Sequence, residues 1–170
     1  MSDAFRRRFW YIWRKAALPL LAFVWCLCLF LGIRTALQSE GLAALLRHSV
    51  RTAPSLMGLL SAAICPFLLS GLAVYLSETW LLMMIAGVKA FCFGFCACGT
   101  ILAFGDGGWL VRFLFLFSDY CLIPLLLFYW VRHIQDQAAL PELCVYLITA
   151  VLICFVDYWV ISPFLVSILR

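Results

Sequence analysis

The sequence predicts an all-α fold, a polytopic bundle of about five transmembrane helices. Of its 170 residues, 67% are apolar and only 12% are charged, and the mean hydropathy is +1.11. Soluble domains are about half apolar and about a quarter charged, so this chain lacks the charge that would cover a water-soluble globule. The composition therefore excludes a soluble domain, a disordered tail and a nucleic-acid-binding protein, and it makes the lipid bilayer the first expected partner.

Five apolar stretches are long enough to cross a membrane. The hydrocarbon core of a bilayer is about 30 Å thick and needs about 20 apolar residues in a helix. Strands are not predicted, because backbone groups in lipid must bond internally and the sequence lacks the alternation of a β-barrel. Within a single domain of residues 1–170, the predicted spans cover residues 16–33, 54–76, 79–104, 109–131 and 143–169.

The segments between the spans set the predicted topology. Five of the 12 basic residues precede the first span, which places the amino terminus in the cytoplasm and, after five spans, the carboxyl terminus outside. A cleaved signal peptide is rejected, because no small-residue cleavage site follows Cys28. Residues 36–50 mix leucines with polar and basic side chains, which favours an interfacial helix. Three glycines within residues 105–108 predict a turn.

No catalytic or metal-binding motif is found. The nine cysteines lie in or beside apolar runs, where cysteine behaves as a small hydrophobic residue. A metal site at Cys92, Cys96 and Cys98 is rejected, because Cys98 is rotated away from the other two. The two histidines, His48 and His133, fall in loops predicted on opposite sides of the membrane. We therefore expect no cofactor, no metal and no enzymatic activity.

Three ionisable residues, Lys89, Asp119 and Asp157, lie deep within predicted spans. Lys89 follows Glu78 by 11 residues, which is about 16 Å at about 1.5 Å per residue. An isolated charge at such depth costs at least about 2.5–3.5 kcal/mol, so we expect these residues to form pairs. The predicted pairs are Lys89 with Asp157, whose depths match, and Asp119 with Arg112, two helical turns away. The pairs either fix helix register or line a hydrated path for an ion or proton.

The third span carries small residues at every fourth position. Ala86, Ala90, Gly94 and Cys98 form this row, and such rows let helix backbones approach closely in lipid. We expect a contact within the bundle, with a homo-oligomer face as the alternative. Kinks are expected at three prolines within the spans, because proline removes a backbone donor. These prolines are Pro66, Pro124 and Pro163.

Four segments together resemble the stage II sporulation protein M family. Residues 88–95 are similar to the Lys-Gly-x-x-x-Gly-Phe core of that family, and residues 107–109 and 122–124 to its glycine-aromatic turn and Leu-Ile-Pro helix. Residues 155–163 resemble its ending with an acidic residue and Ser-Pro. The resemblance covers about residues 55–170.

The chain resembles a divergent member of this family. Its first extracytoplasmic segment, residues 34–53, is shorter than is usual there. Ala90 stands where the family has glycine after the lysine, and Ser118-Asp119-Tyr120 stands where members often carry Pro-Gln-Asn.

The resemblance implies a scaffold in the cell membrane. In the family, this role is played within the engulfment machinery of sporulation, where the founding member assembles with stage II sporulation proteins D and P, which remodel peptidoglycan. The implied partners of this chain are therefore peptidoglycan hydrolases. The alternative function, which comes from the residues alone, is a small transporter or channel subunit that uses Lys89, Asp119 and Asp157.

Overall fold

The computed structural model describes residues 3–51, 55–75, 79–105, 108–134 and 140–168. Helices make up 95% of these residues, and no strand occurs among them, so the predicted all-α class is confirmed. The helices are α1 (Asp3–Gln38), α2 (Leu42–Arg51), α3 (Leu56–Tyr75), α4 (Thr79–Phe104), α5 (Trp109–Phe115), α6 (Phe117–Ile134), α7 (Leu140–Val156) and α8 (Ser162–Ile168). A π-helical turn, Asp157–Ile161, joins α7 to α8.

Four described helices are long and apolar enough to cross a membrane. Their apolar segments are Ala16–Gln38, Leu56–Ala73, Trp80–Phe104 and Glu142–Ile168. A fifth span results if α5 and α6 are counted together, although they are bent by 53° at their junction. The chain therefore has the helices of a multi-pass membrane protein, and its predicted fourth span is broken rather than straight.

One of the predicted boundaries needs correction, and several others fall outside the described residues. The predicted helix over residues 36–50 is wrong at its start, because α1 continues to Gln38 and Gly41 then turns the chain with a φ of 77° before α2 begins. Gly105, with a φ of 62°, turns the chain after α4 as predicted. Residues 54, 76, 106–107 and 169 of the predicted spans and turn lie outside the described residues, and the N-in, C-out orientation stays a prediction.

Helix α2, which follows α1 after a short turn, packs back on α4. Leu42 is buried in a cluster with Ala36 and Cys98, and Leu46 packs against the same cluster. The Arg47 Nε donates a 2.7 Å hydrogen bond to the carbonyl oxygen of Ala103, in the last turn of α4. Because the last four carbonyls of a helix lack partners within it, this bond satisfies one of them and fixes α2 to the end of α4.

The closest helix contact joins α1 to α4, which run in the same direction. A Cβ added to Gly94 would lie 2.5 Å from the carbonyl oxygen of Leu29, and one added to Gly32 would collide with the carbonyl oxygen of Phe91. Ala86 and Ala90 have no exposed surface. The row of small residues on α4 therefore packs against α1 of the same chain. At Gly94, the backbone of α1 occupies the space that a side chain would need.

The largest cluster of buried residues joins α1, α3, α4, α6 and α7. Trp130 is fully buried, and its Nε1 donates a 2.8 Å bond to the Ser70 Oγ. The Ser70 hydroxyl in turn donates a 2.6 Å bond to the carbonyl oxygen of Pro66, four residues earlier in α3. Since an unpaired polar group in an apolar interior is costly, Ser70 lets the largest side chain of the core be buried without an unsatisfied indole N–H.

Gly94→Ala is expected to destabilise the bundle by about 1–3 kcal/mol, because the backbone of α1 cannot move aside without strain. Gly99→Ala is the matched control on the same helix. A Cβ there meets the side-chain ends of Leu46 and Leu42, which can rotate, and alanine is the better helix former. Thermal unfolding of the purified protein in detergent measures both variants. Equal midpoints for the two variants would contradict the assignment of the α1–α4 contact.

Candidate intramembrane polar site

One ion pair links two helices deep in the bundle. The Lys89 Nζ on α4 lies 2.6 Å from the Asp119 Oδ1 on α6, and their side chains are 16% and 27% exposed. Asp119 lies in the first turn of α6, which follows α5 after the single residue Leu116. The pair therefore holds α4 against the first turn of α6, and the Lys89 ammonium stabilises the carboxylate.

The second deep carboxyl is bound by a hydroxyl. Asp157 is 5% exposed and begins the π-helical turn. The Ser118 Oγ on α6 donates a hydrogen bond to the Asp157 Oδ2. Ser118 precedes Asp119 directly. One turn of α6 is therefore bonded both to α4, through Asp119, and to the π turn, through Ser118.

Both predicted ion pairs are wrong in their partners. Lys89 pairs with Asp119 instead of Asp157, because rotation about each helix axis, which depth along the sequence does not reveal, decides which side chains meet. Asp119 does not pair with Arg112, because the helix is interrupted at Leu116 and Arg112 belongs to α5. Two turns along one helix would have aligned them, but a bend of 53° separates the two segments. Among the described residues, Arg112 has no ion-pair partner within 4 Å.

The polar residues coincide with departures from α-helical geometry. Asp119 follows the break at Leu116, and Asp157 heads the π turn that ends before Ser162 and Pro163. In a regular helix, the Pro163 ring would clash with the carbonyl four residues earlier. A wider turn relieves that clash, and such turns are frequent at functional sites.

Ser118 is the site residue that the sequence analysis did not select. In the sequence it stands within Ser118-Asp119-Tyr120, the segment that departs from the family pattern. The signal for Ser118 is a hydroxyl in an apolar span directly beside a carboxylate, in a region without water to satisfy either group. Serine is common in transmembrane helices for packing reasons, so this signal becomes specific only once the facing residue, Asp157, is known.

The cysteines and histidines do not converge in the described part of the chain. No group of three or more His, Cys, Asp or Glu residues there could hold a metal ion. Cys92 is exposed, whereas Cys98 is buried against α2. His48 lies on α2, within the segment that favours an interfacial helix, and His133 lies on α6 instead of in the predicted loop.

The polar site thus consists of one ammonium that faces one carboxylate, and of a second carboxyl that accepts a bond from a serine hydroxyl. Such an arrangement can fix helices relative to each other, or bind a small cation or proton. The chain matches no protein-family model, no curated protein and no solved structure.

Proposed function

We propose that the protein is a non-catalytic multi-pass membrane scaffold that holds partner proteins at the cell membrane. The observation that supports this proposal is that each of the three deep ionisable residues bonds to another helix of the same bundle. Lys89 on α4 pairs with Asp119 on α6, and Ser118 on α6 bonds to Asp157. Charges that pair internally serve to fix helix register, and they leave apolar helix faces as the surface that the bundle presents.

The surfaces left for partners are apolar. Large side chains such as Phe23 and Phe30 on α1 and Trp159 on the π turn are more than half exposed, at 63%, 61% and 67%. Outside the spans, Leu45 on α2 is 70% exposed. These side chains suit contact with lipid and with the transmembrane helices of other proteins, where packing drives association.

The resemblance to the stage II sporulation protein M family suggests which partners this scaffold holds. It implies peptidoglycan hydrolases, in engulfment or in a related envelope complex. The partners of the founding member are stage II sporulation proteins D and P. Under this proposal α2, which is held on α4 by Arg47, is the part of the chain that meets partners outside the spans.

The chain, co-expressed with the hydrolases of its host, is expected to retain them through detergent purification. Leu45→Asn is expected to lower the amount retained, because a polar side chain replaces the exposed apolar contact on α2, while Leu45→Met preserves it. Quantitative mass spectrometry of the purified complexes measures retention against the level of the chain. If wild-type protein retains no hydrolase, the scaffold proposal fails. If Leu45→Asn retains as much as wild type, the outer helix is not the contact.

Lys89→Met and Asp119→Leu are each expected to destabilise the protein by about 3–5 kcal/mol, because removal of one partner leaves the other charge buried and unpaired. The double variant is expected to recover most of that loss. Protein level in membranes and thermal unfolding in detergent measure all three variants. If the double variant is as unstable as the worse single variant, the two side chains do not act as a pair.

A second candidate function, an ion or proton path, is favoured by one specific observation. The polar residues lie at the break between α5 and α6 and at the π turn. Discontinuous helices form the binding sites of many transporters, because their free backbone groups meet ions and charged substrates near the bilayer midplane. A variant in which the deep carboxyl group is neutralised distinguishes this candidate from the scaffold function.

Under the path candidate, vesicles that contain the wild-type protein are expected to show proton or ion flux, which Asp157→Asn abolishes while hydrolase retention stays intact. Under the scaffold proposal, flux does not exceed that of vesicles without protein. A pH-sensitive dye trapped in the vesicles, with an imposed potential, measures the flux.

A further inference from the structure

Asp157 lacks a counter-ion in the described part of the chain. It is 5% exposed, and no described lysine or arginine lies within 4 Å of its carboxyl group. Lys89, the one basic residue deep in the described spans, is in contact with Asp119 at 2.6 Å. The cluster therefore contains two carboxyl groups and one ammonium, and its formal charge with both carboxyls ionised is one negative unit.

A net charge is unfavourable in this place. Burial disfavours the charged form of a group, and a buried carboxyl without a partner neutralises itself by binding a proton. Of the two carboxyls, Asp119 has the Lys89 ammonium to stabilise its negative charge. Asp157 has no such partner among the described residues, so a single proton that neutralises the cluster belongs on Asp157.

The surroundings of Asp157 supply no other positive charge. The π turn contacts α6, α7 and α8. On α6 the titratable groups near it are Asp119 and Cys121, and on α7 the group is Cys154. Helix α8 carries no ionisable residue. Carboxyl and thiol groups are either neutral or negative, so none of these groups offsets a negative charge on Asp157.

The Ser118 hydrogen bond by itself favours the ionised carboxyl to which it donates, but it is a single bond and does not replace the solvation that a carboxylate loses on burial. A carboxylate has about four acceptor positions, whereas a carboxylic acid has a carbonyl oxygen to be satisfied and one proton to donate. The described residues give the Asp157 carboxyl one side-chain donor, the Ser118 hydroxyl. One donor suits the carbonyl oxygen of an acid and leaves a buried carboxylate poorly satisfied.

We propose that Asp157 and Ser118 form an intramembrane proton-binding site, in which Asp157 holds a proton at neutral pH while Asp119 stays ionised beside Lys89. A proton taken from water binds one carboxyl oxygen of Asp157, and the Ser118 hydroxyl donates to the other. This goes beyond the scaffold function, since a bound proton does not require that protons cross the membrane. In the path candidate, it identifies the ion and the residue that holds it.

Infrared spectroscopy of the protein in a detergent without ester groups tests the proposal, because the C=O stretch of a protonated carboxyl is separate from the carboxylate bands and no lipid ester absorbs in the same region. Wild type is expected to show that band at pH 7, and Asp157→Asn is expected to lose it. The double variant Lys89→Gln with Asp119→Asn is the control, which removes the ion pair and is expected to keep the band. Absence of the band in wild type, or its persistence in Asp157→Asn, overturns the proposal.

Ser118→Ala tests the second residue of the site. The band is expected to remain but to move to higher wavenumber, because a carbonyl that loses a hydrogen bond vibrates at higher frequency. An unmoved band excludes Ser118 from the site.

If the Asp157→Asn variant does not fold, the proposal is tested on the wild-type protein alone. A hydrophobic carbodiimide labels protonated carboxyls in apolar surroundings, and peptide mass spectrometry locates the label. Label on Asp157 and not on Asp119 supports the proposal, and label on Asp119 or on neither overturns it. These results are independent of hydrolase retention and of flux, so failure of the proton site is distinguishable from failure of either proposed function.

Discussion

The lack of water in the bilayer interior is the constraint on which this structure depends. A polar group placed there must find its partner within the protein, because lipid offers none. Lys89 meets this requirement with Asp119 at 2.6 Å, and the Trp130 indole meets it with the Ser70 hydroxyl. The same constraint explains why each polar bond between two of these helices fixes the rotation of both helices about their axes. In an aqueous protein these bonds would compete with solvent, whereas here each excludes other ways of packing the same apolar faces.

Close backbone contact is the second element of the fold, and it follows from the first. Between helices in lipid, apolar burial gives little driving force, since the lipid tails are as apolar as leucine. Gly32 and Gly94 allow α1 and α4 to approach until the carbonyls of one helix occupy the space of a side chain on the other. Dispersion contacts at such a short distance are numerous. The α1–α4 pair therefore forms a support against which α6, through the Lys89–Asp119 pair, is positioned.

The helical class, the number of apolar stretches and the small-residue row were predictable from the sequence, because hydropathy and four-residue spacing report directly on burial along a helix. The partners of the charged residues were not predictable. Depth along a span is proportional to residue number, but rotation about the helix axis depends on tertiary packing. Depth alone therefore predicts Asp157 as the partner of Lys89, whereas the structure has Asp119. The error at Arg112 has a different cause. A run of apolar residues through Leu116 gives no local signal for a break, since neither glycine nor proline occurs between Trp109 and Pro124, and the bend lies where α5 packs on α8 and α6 on α4 and α7.

The two departures from helical geometry and the two carboxyl groups lie together for a physical reason. A break in α-helical hydrogen bonding inside a membrane leaves backbone groups that must be shielded from lipid, so it is tolerated only where neighbouring helices cover it. A buried carboxyl has the same requirement. Both therefore collect in the part of the bundle between α4, α6 and the π turn, where Asp119 gains the Lys89 ammonium and Asp157 gains the Ser118 hydroxyl. Any displacement of α6 alters the Lys89–Asp119 and Ser118–Asp157 contacts at once, because Ser118 and Asp119 are consecutive. A partner that shifts α6 would thus change the environment of both carboxyls, and this common turn would link the proposed scaffold function to the proposed protonation of Asp157.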